Sequence, residues 1–287
     1  MAPQEHAFRS GVAILVATPG RLLDHFRSPY ARLAGLEYLV LDEADRMLDM
    51  GFLPEIRRVL RHLPPKRQTF FFSATMPAPI AALSREMLND PVIINLQRTA
   101  APATGITQAV YPVSQSLKPL LVARLLETNV IDDALVFTRT KIRADRLARF
   151  LVGQGINAER IHGNRSQAQR TAALAGFKRG KIRVLVATDI AARGIDVEAL
   201  GHVVNFDVPL VPEDYIHRVG RTGRAELTGY AFTFVSPEEE KELVRIERVI
   251  AKRLPRVTVP DFDYAAQPPP RVRLGDAKGT SCEHLGD

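Results

Sequence analysis

Residues 39–45 read Leu-Val-Leu-Asp-Glu-Ala-Asp, a short apolar run followed by two adjacent carboxylates. The run has the length and composition of a buried strand. Open α/β sheets bind ligands at the carboxyl ends of their strands, so Asp42 and Glu43 are predicted to lie at such a site. One carboxylate could hold Mg²⁺ through its water shell while its neighbour activates a water that attacks a nucleotide phosphate. Taken alone, the same residues also fit an acidic loop that follows a strand.

Short apolar runs alternate with helix-like segments along the rest of the chain, which predicts an α/β fold with mostly parallel sheets. Before residue 97, strands are predicted at 13–17, 38–41, 69–72 and 92–96. After it, strands are predicted at 109–111, 134–137, 158–161, 184–187, 203–206 and 230–235. Helices are predicted in this second part at 117–128, 141–151, 167–178, 213–219 and 238–254. The near-continuous apolar character of the runs indicates strands that helices cover on both faces.

A segment of small residues, 97–106, has no apolar period and is predicted to be a linker. It divides the 287 residues into a first domain, 1–96, and a second domain, 107–260. The tail 261–287 has few apolar groups and is predicted to be disordered. Because 46% of all residues are apolar, the chain can form a sizeable core, which excludes wholesale disorder.

The basic residues are concentrated in one part of the chain. The net charge is +7, whereas residues 139–183 alone hold twelve basic and two acidic side chains, a net of +10. Clustered Lys and Arg favour a polyanion partner, because they displace counterions from its phosphates. A solvated cationic surface is an equally good explanation of the charge alone.

The sequence lacks the features of membrane and secreted proteins. No apolar run approaches the roughly 18 residues of a membrane helix, and residues 1–6 lack the pattern of a signal peptide. We therefore expect a cytoplasmic protein with no membrane partner. Cys282 is the single cysteine, which excludes an internal disulfide framework and a cysteine-rich zinc site.

Polar motifs follow several other predicted strands. Residues 18–21 are Thr-Pro-Gly-Arg, which combine a hydroxyl, a bare backbone and a guanidinium, all groups that contact phosphates. Residues 217–224 are His-Arg-Val-Gly-Arg-Thr-Gly-Arg. Arg221 and Arg224 are three residues apart, so they point the same way if a helical turn continues. Two converging guanidiniums fit a γ-phosphate.

In their order and spacing, these motifs resemble those of the DEAD-box family of ATP-dependent RNA helicases, in particular its bacterial RhlE-type branch. The tetrapeptide Asp-Glu-Ala-Asp stands at 42–45. The supporting motifs lie at 18–21, 73–75, 136–139, 161–163, 167–170, 188–189, 192–196 and 217–224. The resemblance covers about residues 3–260. It implies tandem RecA-like domains of the P-loop NTPase type, with parallel sheets and an incomplete first domain.

The resemblance implies ATP and Mg²⁺ as cofactors. By this likeness, Asp42 binds Mg²⁺ through water and Glu43 activates the hydrolytic water. Arg221 and Arg224 reach the γ-phosphate from the second domain, and Asp196 lies near the ribose.

The resemblance also implies RNA as the partner, bound through its backbone with little regard to sequence. The RNA-contacting residues would be Thr18, Pro19, Gly20, Arg21, Arg139, Gly163, Thr188 and Arg193. A second group would couple nucleotide state to domain closure, namely Ser73 and Thr75 with Asp45 and His217. The resemblance is compatible with partners in ribosome assembly or RNA decay, but the sequence does not identify them.

The sequence departs from the family pattern at the phosphate site. A P-loop requires Gly-x-x-x-x-Gly-Lys followed by Ser or Thr, and the only lysine that follows a glycine, Lys181, precedes an isoleucine. The glutamine-bearing adenine motif and the first RNA-contacting motifs are also missing. We therefore expect an N-terminally truncated helicase that is inactive by itself. Residues 1–96 should then expose apolar sheet edges and be marginally stable.

Two alternatives are open. One is a non-enzymatic module that binds RNA or a protein partner through the second domain. The other is a DNA-directed helicase of the same superfamily. An in-frame P-loop upstream of Met1 would favour the full RNA helicase.

Overall fold

The structure is a computed structural model that describes residues 2–49, 51–95, 105–192, 200–223 and 229–266. The chain divides into two units, residues 1–96 and 97–287. Each unit has its own sheet and its own core.

The first unit contains a two-stranded parallel sheet with helices on one side. Its elements are α1 (Ala2–Ser10), α2 (Pro19–Phe26), β1 (Tyr38–Leu41), α3 (Ala44–Asp49), α4 (Leu53–Leu60), β2 (Gln68–Phe71) and α5 (Ala78–Met87). β1 and β2 pair in register from Tyr38 opposite Gln68 to Leu41 opposite Phe71. The core beside the sheet consists of Leu41, Ala44, Ile56, Ile80, Leu83 and Met87.

The strands predicted at 13–17 and 92–96 are wrong over the described residues 13–17 and 92–95, which carry no strand. A strand needs a neighbour that completes its hydrogen-bond ladder, and the described part of the first unit pairs only β1 with β2. The apolar side chains of these runs are exposed instead, with Val16 at 92% and Val92 at 89% of full exposure.

Helices were expected on both faces of this sheet, but one face is open. Val40 in β1 and Phe70 in β2 are exposed, and so is Phe72, which directly follows β2. The first unit thus exposes apolar side chains on one face of its sheet. Uncovered apolar surface of this kind favours association with other polypeptide.

The second unit contains a six-stranded, fully parallel sheet in the order β3-β8-β7-β4-β6-β5. Its strands are β3 (Ile106–Pro112), β4 (Ala134–Phe137), β5 (Ala158–Ile161), β6 (Val184–Ala187), β7 (His202–Asn205) and β8 (Gly229–Val235). Its helices are α6 (Lys118–Glu127), α7 (Lys141–Gly153), α8 (Gln167–Lys178), α9 (Asp189–Ala192), α10 (Pro212–Val219) and α11 (Glu240–Val249). A 3₁₀ turn, Pro237–Glu239, precedes α11.

Both faces of this sheet are buried, as predicted. In β4, Ala134 and Val136 belong to the cluster that includes α6 and α7, whereas Leu135 and Phe137 belong to the cluster that includes α8. Alternate side chains of a strand point to opposite faces, so a strand buried on both sides must be apolar throughout. This explains why the strand predictions are accurate here.

Two predictions at the end of the second unit need correction. The helix predicted over 238–254 begins as a 3₁₀ turn and ends at Val249, because Ala251 adopts a left-handed φ of 50°. The tail predicted to be disordered from 261 is ordered to residue 266. Phe262 and Tyr264 pack against the core there, and Val259 donates its N–H to the Tyr264 hydroxyl at 2.9 Å.

Candidate functional site

The turn after β1 presents two carboxylates to solvent. Asp42 and Glu43 are exposed, and the N–H of Glu43 donates to Oδ1 of Asp42 at 2.8 Å. Glu43 has a left-handed φ of 50°, a conformation that costs energy in residues other than glycine. Ala44 is fully buried, so α3 begins directly under the turn. The turn is therefore anchored on one side and open on the other.

Asp45 connects this turn with the segment after β2. Its N–H donates to Oγ of Ser73 at 3.1 Å, and its Oδ2 accepts from the N–H and the hydroxyl of Thr75 at 2.7 and 2.8 Å. Burial by itself raises the pKa of Asp45, but the hydrogen bonds from Thr75 and its neighbours outweigh it and leave the pKa below its usual value. Asp45 is thus held as a carboxylate that joins two neighbouring strand ends.

The segment 18–21 forms the start of α2. Thr18 is the extended N-cap residue and its side chain makes no capping hydrogen bond, while Gly20 is exposed with open space where a Cβ would stand. Arg21 donates through Nε and Nη2 to Oε1 of Gln4 in α1, at 2.9 and 2.6 Å. The helix start thus leaves N–H groups for an anion, with Arg21 fixed beside them.

In the second unit, three predicted RNA-contacting residues follow three neighbouring strands. Arg139 comes after β4, Thr188 after β6 and Gly163 after β5. The strands are parallel and adjacent, so all three residues lie at the carboxyl edge of the sheet. Gly163 is exposed, with open space where a Cβ would stand.

The Arg139 side chain also has partners within the unit. It donates to the carbonyl of Val208 at 2.9 Å and forms an ion pair with Glu239 at 3.3 Å. Its backbone N–H donates to Oδ2 of Asp207 at 2.8 Å. About a third of the side chain, 34%, remains exposed.

A small cavity lies between α10 and the end of β6. It is lined by Phe137, Asp189, Ala192, Asp214, His217, Arg218 and Arg221. His217 is exposed and Arg221 half-buried, so a predicted coupling residue and a predicted γ-phosphate residue share this cavity. Arg224, Arg193 and Asp196 lie outside the described residues. The structure therefore does not test whether Arg221 and Arg224 point the same way.

Arg218, between His217 and Arg221 in sequence, organises the cavity. Its guanidinium binds Asp189 through Nε at 2.6 Å and Nη2 at 2.8 Å. Its Nη1 donates to Oδ1 of Asn205 at 3.1 Å and to the carbonyl of Asp207 at 2.8 Å. Its Cζ lies 5.0 Å from the ring centroid of Phe137. This buried arginine ties α10 to the ends of three strands.

Comparisons with known proteins agree with these motifs. Residues 1–83 match the family described as DEAD/DEAH box helicase, and residues 117–226 match the helicase conserved C-terminal domain. A solved DEAD box protein from the hyperthermophile Methanococcus jannaschii is 38% identical, with a TM-score of 0.51. The match covers 89% of this chain and 69% of that protein. This chain belongs to the DEAD-box family of RNA helicases.

Other DEAD-box proteins are similar over most of the chain. The DEAD-box ATP-dependent RNA helicase CshA of Geobacillus kaustophilus is 43% identical over 271 residues, and CshA of Bacillus subtilis is 42% identical over 281. These matches cover 94% and 98% of this chain but 58% and 57% of the relatives. The DEAD-box chain thus spans little more than half the length of the curated relatives it matches.

The fold agrees with a solved structure of Saccharomyces cerevisiae Dbp5 bound to RNA and ADP BeF3. The TM-score is 0.76 at 31% identity, over 86% of this chain and 66% of that one. The DEAD-box chain therefore has tandem RecA-like α/β domains with parallel sheets. In the part of the chain that the structure describes, no helix is long and apolar enough to cross a membrane.

The structure sorts the basic stretch 139–183 of this DEAD-box chain into paired and exposed residues. Four arginines form ion pairs with carboxylates, namely Arg139, Arg143, Arg160 and Arg165. Arg183 donates to backbone carbonyls at the end of α6 and in the loop that follows it. Others are exposed, among them Arg146, Arg149, Arg179 and Lys181. The net charge of +10 therefore overstates the charge that a polyanion can reach.

Residues outside the predicted set also build the site. These residues have buried or ion-paired charged side chains and are Arg218, Asp189, Asp207, Glu239 and Lys118. Asp207 lies one residue beyond the strand predicted at 203–206, so the strand-end pattern could have identified it. Lys118 and Glu239 carry no such signal, because a charged residue beside a helix normally indicates an exposed surface.

Proposed function

We propose that this DEAD-box chain is part of an RNA helicase that couples ATP hydrolysis to local unwinding or remodelling of RNA duplexes. The observation that carries the proposal is the turn after β1. Its two exposed carboxylates, Asp42 and Glu43, shortly precede Asp45 in the chain, and Asp45 is hydrogen-bonded to Ser73 and Thr75. The network can transmit a change at the carboxylates to the segment after β2.

We propose the following roles around the nucleotide. Asp42 would hold Mg²⁺ through water, and Glu43 would orient the attacking water and accept its proton. One exposed carboxylate fits an ion that keeps most of its water shell and takes other ligands from phosphates. Within the described ranges, no group of three potential metal-ligating side chains suggests a protein-enclosed ion instead. Bound Mg²⁺ would neutralise charge on the phosphates.

The remaining nucleotide and coupling roles are proposals on the same basis. Arg221 and Arg224 would contact the γ-phosphate, and Asp196 the ribose. Asp45, Ser73 and Thr75, with His217 in the second unit, would couple nucleotide state to RNA binding. The family likeness and the Asp45 hydrogen bonds support these roles.

The 287 residues contain no P-loop, so we propose that they do not hydrolyse ATP by themselves. RNA-stimulated phosphate release by this chain should stay at background. A turnover that disappears in Glu43→Gln would refute this part of the proposal.

RNA binding is the activity that this chain should retain. We propose that Thr18, Pro19, Gly20, Arg21, Arg139, Gly163, Thr188 and Arg193 contact the RNA backbone. Affinity for single-stranded RNA should then fall with salt by a log–log slope of about −0.7 per phosphate contact. A flat salt response would refute the phosphate contacts.

Thr188→Ala tests the second-unit edge, with Thr107→Ala as the matched control. Thr188 follows β6 at the carboxyl edge, whereas Thr107 is an exposed residue near the start of β3. Thr188→Ala should weaken binding for RNAs of any sequence, and Thr107→Ala should not. Equal effects of the two variants on RNA affinity would contradict the proposed RNA contact at the carboxyl edge of the sheet.

The residues of the second unit also allow a second candidate, an RNA-binding module without enzymatic activity. It is favoured by the second unit, in which Arg139, Thr188 and Gly163 share one edge. If this chain binds RNA but does not hydrolyse ATP, the result agrees with both candidates. RNA-stimulated ATP hydrolysis by a longer form that includes a P-loop would favour the helicase. The RhlE-type branch, the domain limits 1–96, 97–106 and 107–260, and a cytoplasmic location remain proposals.

A further inference from the structure

Glu239, at the end of the 3₁₀ turn Pro237–Glu239, is a buried carboxylate outside every family motif. Its Oε2 accepts from the N–H and the hydroxyl of Ser236, both at 3.2 Å. Its Oε1 accepts from the N–H of Val208 and from Nη2 of Arg139, both at 3.3 Å. One carboxylate thus contacts the segments that follow β8, β7 and β4.

Lys118, in the first turn of α6, neutralises this carboxylate. The Lys118 side chain is fully buried and forms an ion pair with Glu239, and its Nζ also donates to the carbonyl of Phe206 at 2.8 Å. Burial lowers the pKa of Lys118, and the adjacent Glu239 opposes that shift. A buried charge pair of this kind is costly to desolvate and is weak evidence of a purely stabilising role.

A second charge pair fixes the same segments. Asp207 is fully buried, forms an ion pair with Arg143 of α7 and accepts the backbone N–H of Arg139. The loop that carries Arg139 is therefore held at its backbone by Asp207 and at its guanidinium by Glu239. Arg139 and Arg143 line an open polar cavity together with Gln115, Ser236 and the carboxylates of Glu238, Glu239 and Glu242.

We propose that Glu239, neutralised by Lys118, is a positioning residue that holds Arg139 ready for an RNA phosphate. The proposal rests on the proposed RNA contact of Arg139. An arginine that is already held against a fixed carboxylate and the Val208 carbonyl loses less side-chain freedom on binding than a mobile one. Glu239 itself, with no more than 6% of its side chain exposed, does not contact RNA.

The double variant Lys118→Met with Glu239→Gln tests this role. Changing Glu239 alone would leave the Lys118 ammonium buried without a counter-charge, and the chain could fail to fold. The paired change removes one charge of each sign, so the net charge that attracts RNA is unaltered. Met keeps the apolar length of Lys118, and Gln can still accept the N–H of Val208.

Two measurements on the full 287-residue chain separate positioning from stability. Deuterium uptake of peptides that cover 138–140 and 206–208 reports whether the loops are fixed. Affinity for a single-stranded RNA is measured for the wild type, the paired variant, Arg139→Ala and the combination of all three changes. A charge-neutral change of an exposed pair in the first unit, Arg57→Met with Glu86→Gln, is the matched control.

We expect faster uptake at the two loops and an RNA affinity about two- to tenfold weaker in the paired variant, the cost of ordering one long side chain. Arg139→Ala should add little in that background, although it weakens binding in the wild type. The control pair should change neither quantity.

Three results would overturn the proposal. The first is unchanged uptake at both loops. The second is an RNA affinity equal to or tighter than that of the wild type while Arg139→Ala by itself weakens binding. The third is full additivity of the paired change and Arg139→Ala. If Arg139→Ala has no effect in the wild type, the RNA contact of Arg139 itself is wrong, and the positioning role falls with it.

Discussion

Replacing Arg218 with methionine should destabilise the second unit strongly. The side chain is 2% exposed and makes four hydrogen bonds, two of them to the carboxylate of Asp189. Methionine fills most of the space but donates nothing. The variant therefore leaves Asp189, the Asn205 side chain and the Asp207 carbonyl without their donor.

The magnitude follows from the burial of the pair. Removing one partner of a buried ion pair costs about 3–5 kcal/mol. Asp189 is 21% exposed and can recover part of its hydration, so we expect the lower end, about 3 kcal/mol. With a urea dependence of about 1–3 kcal/mol per molar, the unfolding midpoint should fall by about 1–3 M.

Deuterium uptake of peptides from β4, β6 and β7 across a urea series measures the second unit separately from the first. Asp189→Asn should cost less, and the double variant should cost less than the sum, because both changes remove the same contact. Arg179→Met is the control, since Arg179 is exposed and its Nε donates to the Ala175 carbonyl in the preceding helix α8. A loss below about 1 kcal/mol in Arg218→Met would show that the Arg218–Asp189 pair contributes no more than a surface ion pair, contrary to this prediction.

Three further predictions concern pH and the end of the second unit. The pKa of Asp45 lies below its ordinary value of 3.8, so the stability that its hydrogen bonds contribute is present above pH 3.8 and is lost as the pH falls further. When the urea midpoint of the first unit is measured at a series of pH values, Asp45→Asn should reduce the decrease of the midpoint at acid pH. Burial lowers the pKa of His202 below 6.5, so the second unit should lose stability as the pH falls from 7 to 5. His202→Phe can keep the stacking on Tyr230 and should remove most of this pH dependence of the urea midpoint. Tyr264→Phe should cost about 1 kcal/mol in urea unfolding through loss of the acceptor for the Val259 N–H, and no change would show that residues 261–266 contribute little.

The strands of the second unit could be predicted closely from its sequence, whereas in the described part of the first unit only the strands predicted at 38–41 and 69–72 correspond to strands, β1 and β2. In the second unit, strands buried on both faces leave continuous apolar runs, and β4 and β6 lie where they were predicted. In the first unit the same kind of run at 13–17 is exposed coil. Composition shows that a segment suits a strand, but pairing depends on a neighbour that the run itself does not specify.

The site shows a similar division. Short motifs placed Asp45, Ser73 and Thr75 near one another, because strand ends of a parallel sheet meet at one edge. They gave no sign of the Lys118–Glu239 pair, whose members are far apart in the chain. A buried ion pair and two exposed charges have the same appearance in a sequence, and only packing distinguishes them.

The two outer edges of the six-stranded sheet are protected from intermolecular pairing in different ways. At β3, Val110 donates its N–H to the carbonyl of Pro255 and accepts from the N–H of Val257, so the chain's own returning segment occupies the edge. At β5, among the described residues, no strand pairs with the outer side. That edge is four residues long and carries Glu159 and Arg160, both charged. Short, charged edges resist growth into larger sheets, whereas shortening the chain before residue 255 would open β3 to aggregation.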